Sequence, residues 1–132
     1  MITSAVVEAI CHATENEEKL KKAIEEVLNV EMKEEKLRGH WGNPIIILRC
    51  KLKGRKAKEV AEKIAQAVRI EDFEERSEKG AFYIRLDKKS FLHGNIRLGN
   101  DVRVVFHLRT YPASAKKVAE KMEKFWRETR GE

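Results

Sequence analysis

FYIRLDKKSFLHGNIRLGNDVRVVFHLR, residues 82–109, decides the fold. Two runs within it, 81–86 and 102–109, alternate with a period of two, the pattern of half-buried strands. Phe82, Ile84, Leu86, Val102, Val104, Phe106 and Leu108 occupy one parity. Tyr83, Arg85, Arg103, Val105, His107 and Arg109 occupy the other. One face therefore looks into a core, and the opposite face presents cations and rings to solvent. Between the runs, Asp87 is a good helix N-cap and Gly94 a good terminator, so 87–94 reads as one helical turn. Asn95–Leu98 then reads as a brief strand, followed by the turn Gly99-Asn100-Asp101.

Working back along the chain, residues 2–13 are apolar on both parities and read as a strand inside the sheet. Thr14 and Glu17 have the spacing of a capping box. Leu20, Ala23, Ile24, Val27 and Leu28 then form a helical stripe that ends near Asn29. Residues 31–38 are short and charged, as expected of an edge strand or extended arm. The turn Gly39-His40-Trp41-Gly42-Asn43-Pro44 leads into strand 45–53, with Ile46, Leu48, Cys50 and Leu52 on one side and Arg49, Lys51 and Lys53 on the other, preceded there by Ile45 and Ile47. A second helix runs from Gly54 to about Ile70, and the acidic segment 71–77 loops to strand 81–86. A third helix starts near Ser114 with Ala115, Val118, Ala119, Met122 and Phe125 inward. The expectation is one α+β domain over 1–132, in the order β-α-β-β-α-β-β-β-α. Its sheet is mixed but mostly antiparallel, with the helices packed on one face.

The composition narrows the function. The chain has 132 residues, 28 Lys and Arg against 22 Asp and Glu, and a net charge of +6. Charged residues make up 38%, above the usual figure of about 25%, with the Lys and Glu excess of hyperthermophile proteins. The basic balance favours an anionic partner, nucleic acid or a lipid surface. No run approaches the roughly 20 apolar residues of a membrane span, and the N-terminal stretch lacks a basic lead-in, so a cytoplasmic protein is the default. Strands 45–53, 81–86 and 102–109 contain basic residues and no acids. That segregation, more than the net charge, points to a surface for phosphates; the alternatives are a solvated basic face on a stable thermophile domain, or a face covered by a partner subunit.

Catalysis finds little support. His12, His40, His93 and His107 share no metal-ligand spacing, and Cys11 and Cys50 match no zinc or redox motif, so no metal or cofactor is expected. The two cysteines read as small buried hydrophobes, with a disulfide between them left open. No nucleophile-base pair stands out, and the acids lie mostly beside lysines on helix faces. The GHWGNP loop lacks the Lys-Ser/Thr ending of a Walker loop. It reads either as a tryptophan-anchored turn or as a functional loop, with His40 and Asn43 as donors and Trp41 as a stacking platform.

HATENEEKL, GHWGNPI and RLDKKSFLHGNIRL together resemble an archaeal family of proposed exosome subunits and RNA-binding proteins. The likeness runs along most of the chain. It carries His40, Gly42, Asn43 and Pro44 over to the first turn, and Arg85, Asp87, Lys88 and Gly94 to the second. Trp41 departs from the family's His or Tyr but keeps a ring, and Ser90-Phe91 replaces smaller residues. The resemblance implies a fold like the 5S-RNA-binding ribosomal protein of the large subunit, and a place in RNA processing. The expected RNA contacts are Arg49, Lys51, Arg85, Lys88, Arg103 and Arg109 to phosphate, and His40, Trp41, Asn43 and Tyr83 at or beside the bases. The runner-up is a module that docks on proteins of an RNA-processing complex without touching RNA. A homodimer is compatible with either.

Overall fold

The computed structural model describes residues 1–12, 15–39 and 41–132. Its elements are β1 (Ile2–His12), α1 (Glu17–Leu28), β2 (Lys33–Arg38), β3 (Pro44–Lys53), α2 (Arg55–Ala67), β4 (Ser77–Glu78), β5 (Ala81–Leu86), α3 (Lys88–Leu92), β6 (Val102–Leu108) and α4 (Ala115–Arg130). The strands form one sheet in the order β2-β3-β1-β6-β5-β4, and every paired neighbour is antiparallel. The fold is the expected α+β arrangement, with β1 at its centre.

Strand alternation decides what is buried. Ala5, Val7, Ala9 and Cys11 of β1, Leu48, Cys50 and Leu52 of β3, and Val102, Val104 and Phe106 of β6 are buried. They join Leu20, Ile24 and Leu28 of α1, Val60 and Ile64 of α2, and Val118 and Met122 of α4 in one core. The helix layer therefore lies on a single face of the sheet. Trp126, absent from the expected core, is almost fully buried and donates its indole N–H to the Val68 carbonyl at 2.9 Å. It also meets Phe73 and Phe82 at 6.2 and 6.1 Å between ring centroids.

Local chemistry sets several boundaries differently from the sequence reading. Helix α1 is capped by Asn16, whose side chain accepts from the Lys19 N–H; Thr14, the expected cap, lies outside the described residues. Helix α2 ends at Ala67, because Val68 turns to extended backbone. The brief strand expected at 95–98 is reduced to one bridge, Leu86 to Leu98. The acidic loop instead ends in the two-residue strand β4, paired with β5. Asp87 does cap α3, accepting from the Ser90 N–H, and Gly94 follows it with φ +77°.

Cys11 and Cys50 are both buried free thiols, and burial pushes both pKa values up. Cys50 stands opposite Val7, four positions along β1 from Cys11. That offset is about 13 Å at the rise of a strand, beyond the reach of a disulfide.

Candidate nucleic-acid interface

The face opposite the helices carries the expected cations, and antiparallel register sorts them into rows. Arg49 stands opposite both Lys33 and Glu8, Glu8 also opposes Arg103, and Arg103 opposes Arg85. Directly opposed residues share a face, so one row across five strands reads Lys33, Arg49, Glu8, Arg103, Arg85. Two positions further on, Lys51, Val6, Val105 and Tyr83 form a parallel row. Beyond it come Lys53, Ser4, His107 and Ala81. Arg109 is exposed just past the end of β6.

The carboxylate in the first row changes what each cation can do. Arg49 donates through Nε to Glu8 Oε2 at 2.9 Å, its Nη2 lies 2.8 Å from the same oxygen, and its Nη1 is 3.6 Å from Glu35. Arg49, expected as a phosphate contact, is thus engaged by its own sheet; the acid comes from β1, outside the three strands whose composition suggested pure segregation. Arg103 turns from Glu8 towards Tyr83, with Cζ 5.4 Å from the ring centroid. Tyr83 donates its hydroxyl to Glu78 at 3.1 Å, and burial and that carboxylate push its phenol pKa up, so the donor proton stays in place. The Tyr83 ring, expected as a bare stacking platform, already carries a guanidinium. Arg85 is exposed and makes no ion pair among the described residues.

Lys88 moves out of the interface. Its ammonium donates to the Ile10 carbonyl at 2.7 Å and to Glu15 at 2.9 and 3.1 Å, and its side chain is only 13% exposed. The cause is topological: β6 begins opposite Ala9, so β1 has no β6 neighbour beyond that point. Lys88 reaches from α3 to the carbonyl that a strand would otherwise satisfy.

The expected turn contacts sit at the far end of the β2–β3 hairpin. Gly39 donates to the Asn43 carbonyl at 2.7 Å, Gly42 donates to Gly39 at 3.0 Å, and Gly42 holds φ +80°. Trp41 is 84% exposed, and His40 lies outside the described residues. Sequence reading missed an apolar strip beside this turn. Ile10 and Leu37 are exposed and Ile45 and Ile47 half-buried, and register brings Leu37 to Ile45 and Ile10 to Ile47 on the open face. The parity of Ile45 and Ile47 was the available signal. Among the described residues, no group of three or more His, Cys, Asp or Glu could hold a metal ion.

A family model described as RNA binding matches residues 4–109. The chain belongs to this RNA-binding family. The match spans β1 to β6 and so contains the whole open face. An uncharacterised protein of Methanocaldococcus jannaschii is 32% identical, over 84% of this chain and 87% of its own length. Among solved structures, a DUF54 protein from Methanothermobacter thermautotrophicus is similar at TM-score 0.76 and 30% identity, covering 96% of this chain and 98% of that one. A DUF54 protein from Archaeoglobus fulgidus follows at TM-score 0.72 and 28% identity, covering 95% and 99%. A Sulfolobus solfataricus protein at TM-score 0.74 and 18% identity shares the fold. These similar proteins all come from archaea.

Proposed function

We propose that the chain is a non-catalytic RNA-binding protein whose contact surface is the helix-free face of the sheet. The observation that carries this is the pair Arg85 and Arg103, directly opposed on β5 and β6. Like charges in that position repel, and neither makes an ion pair among the described residues; Glu8, which opposes Arg103 in the register, is bonded to Arg49 instead. A phosphate between them would remove the cost. Lys51, Lys53 and Arg109 extend the positive field, and exposed Trp41 at the hairpin tip offers a ring for stacking. Arg49 and Lys88 act instead as struts that hold the surface in shape.

Family membership supports RNA as the polyanion. The three-motif resemblance supports the finer assignment to RNA processing alongside the exosome, and the likeness to the 5S-RNA-binding ribosomal protein; a cytoplasmic setting is part of the same proposal.

The test is a titration of fluorescent single-stranded and structured RNA at two salt concentrations. Contacts to several phosphates make affinity fall steeply as salt rises. Arg85→Glu combined with Arg103→Glu should abolish binding while the melting temperature stays nearly unchanged. Weak binding that ignores salt, or a double variant that binds as well as the native chain, would overturn the proposal.

A further inference from the structure

A cleft of about 1040 Å³ opens at the edge of the sheet where β2 stops short of the end of β3. The last β2–β3 pair is Lys33 with Arg49, yet β3 continues to Lys53. The chain is held away from this gap. Asn29 takes left-handed backbone with φ 57°, and the Met32 N–H is donated to the Glu25 carboxylate at 2.9 Å.

Backbone alternation identifies what the gap exposes. In an antiparallel ladder both polar groups of a residue point to the same side. Gly54 donates to the Thr3 carbonyl on β1, at 2.9 Å, so even-numbered residues of β3 face β1. The Asn43 carbonyl accepts from Gly39 across the hairpin, which agrees. Lys51 and Lys53 therefore direct their N–H and C=O groups outward, where no β2 residue pairs with them. The lining comes from both sides of the sheet: Lys51 and Lys53 from the open face, Cys50, Leu52, Leu28 and Met32 from the helix layer. That is the shape of a missing strand. Glu31, Glu34, Glu35 and Glu59 also line the cleft, so the positive charge is concentrated at Lys51 and Lys53, beyond the end of β2.

We propose that this edge binds an extended segment of a partner protein, added as a short strand, in which acidic and apolar residues alternate. Main-chain bonds to Lys51 and Lys53 would supply the attachment, the mode of strand addition to a sheet edge. Side chains of an added strand alternate between the two faces. Those on the open face meet the ammonium groups of Lys51 and Lys53, neither of which makes an ion pair among the described residues. Those on the other face meet the apolar floor of Leu28, Met32, Cys50 and Leu52. A nucleic-acid strand has no peptide groups to continue the ladder. The inference rests on the backbone edge, and shares with the RNA reading only the ammonium groups of Lys51 and Lys53.

The test uses the full chain, labelled with nitrogen-15, and a blocked octapeptide of alternating Glu and Val. Amide exchange at Lys51 and Lys53 should slow at least tenfold on addition of the peptide. Methylating alternate peptide nitrogens on the side that faces β3 should remove the effect, and Lys51→Glu with Lys53→Glu should weaken it at least tenfold. Equal protection by a peptide of the same composition in blocks, four Glu then four Val, would show mere charge attraction and overturn the proposal. So would protection by an RNA oligonucleotide with none by the peptide. Protection that grows with protein concentration alone would assign the edge to a second copy of this chain, and would equally sink it.

Discussion

Lys88 shows how one side chain can look like a ligand contact and serve as a tie. Its ammonium satisfies the Ile10 carbonyl and both oxygens of Glu15, while Glu15 also accepts from the His12 N–H at 3.0 Å. Lys88→Met strands both partners and should cost about 1–3 kcal/mol in urea unfolding, with RNA affinity at fixed salt changing no more than about twofold. Burial alone would raise the Glu15 pKa, but the His12 N–H and the Lys88 ammonium outweigh it and hold the carboxyl below its ordinary value. A depressed carboxylate contributes stability at neutral pH that is lost as pH falls through the folded-state value. Glu15→Gln should therefore unfold more easily at pH 7, and the gap from the native chain should close below about pH 4, near the usual carboxylate range. Little of this was legible beforehand. Side-chain parity identified Arg85 and Arg103 from their own strands. The partners of Arg49 and Lys88 depend on which strands are neighbours, and on where β6 starts, and single-chain patterning carries neither fact.

At the scale of elements, the connection from α3 to β6 is held tightly against β5. Gly99 donates to the Arg85 carbonyl at 3.0 Å, Asp87 donates to the Arg97 carbonyl at 2.8 Å, and Asp101 donates to the Leu86 carbonyl at 3.1 Å. A Cβ added to Gly99 would sit 2.6 Å from the Asp87 Cα and 2.8 Å from its backbone nitrogen. Backbone atoms cannot swing aside as a flexible side chain would. Gly99→Ala should destabilise by about 1–3 kcal/mol, measured as a lowered melting temperature. It should also weaken RNA binding, since the displaced backbone carries Arg85. The sequence marked Gly99-Asn100-Asp101 as a turn, because glycine and Asn-Asp punctuate chains. It marked 95–98 as a strand from Ile96 and Leu98, but a strand needs a neighbour with free polar groups, and only Leu86 supplies a bridge. Edge strand β2 was legible from its charges, all of it exposed as expected.

For the whole molecule, one buried ring joins regions distant in sequence. Trp126 ties α4 to the end of α2 through the Val68 carbonyl, and Arg130 adds a bond from its Nη1 to the Ala65 carbonyl at 2.9 Å. Trp126→Phe loses the indole donor and leaves a buried carbonyl unmet, so a loss of about 1–3 kcal/mol in denaturant midpoint experiments is expected. RNA affinity should not change, because the residue lies in the helix layer. Helix spacing placed Val118, Ala119, Met122 and Phe125 inward; Trp126, four residues after Met122 and seven after Ala119, lies on the same stripe, and the reading that ended the stripe at Phe125 left it out. The α+β order, the single helix layer and the open face followed from period-two and helical patterning. The extent of the open edge did not, since it is fixed by where β2 peels away.

Central strand β1 has a cost in time. Thr3 hydrogen-bonds to His107, 104 residues further along, and Ile2 lies opposite Leu108. Contacts so remote in sequence must wait for loop closure and slow folding. During synthesis β1 precedes β6 by some ninety residues of chain, and until β6 emerges the apolar residues of β1 have no complete sheet to enter. Assembly of this sheet must then finish after translation of residue 108, so the earliest-made strand waits longest with one edge unpaired.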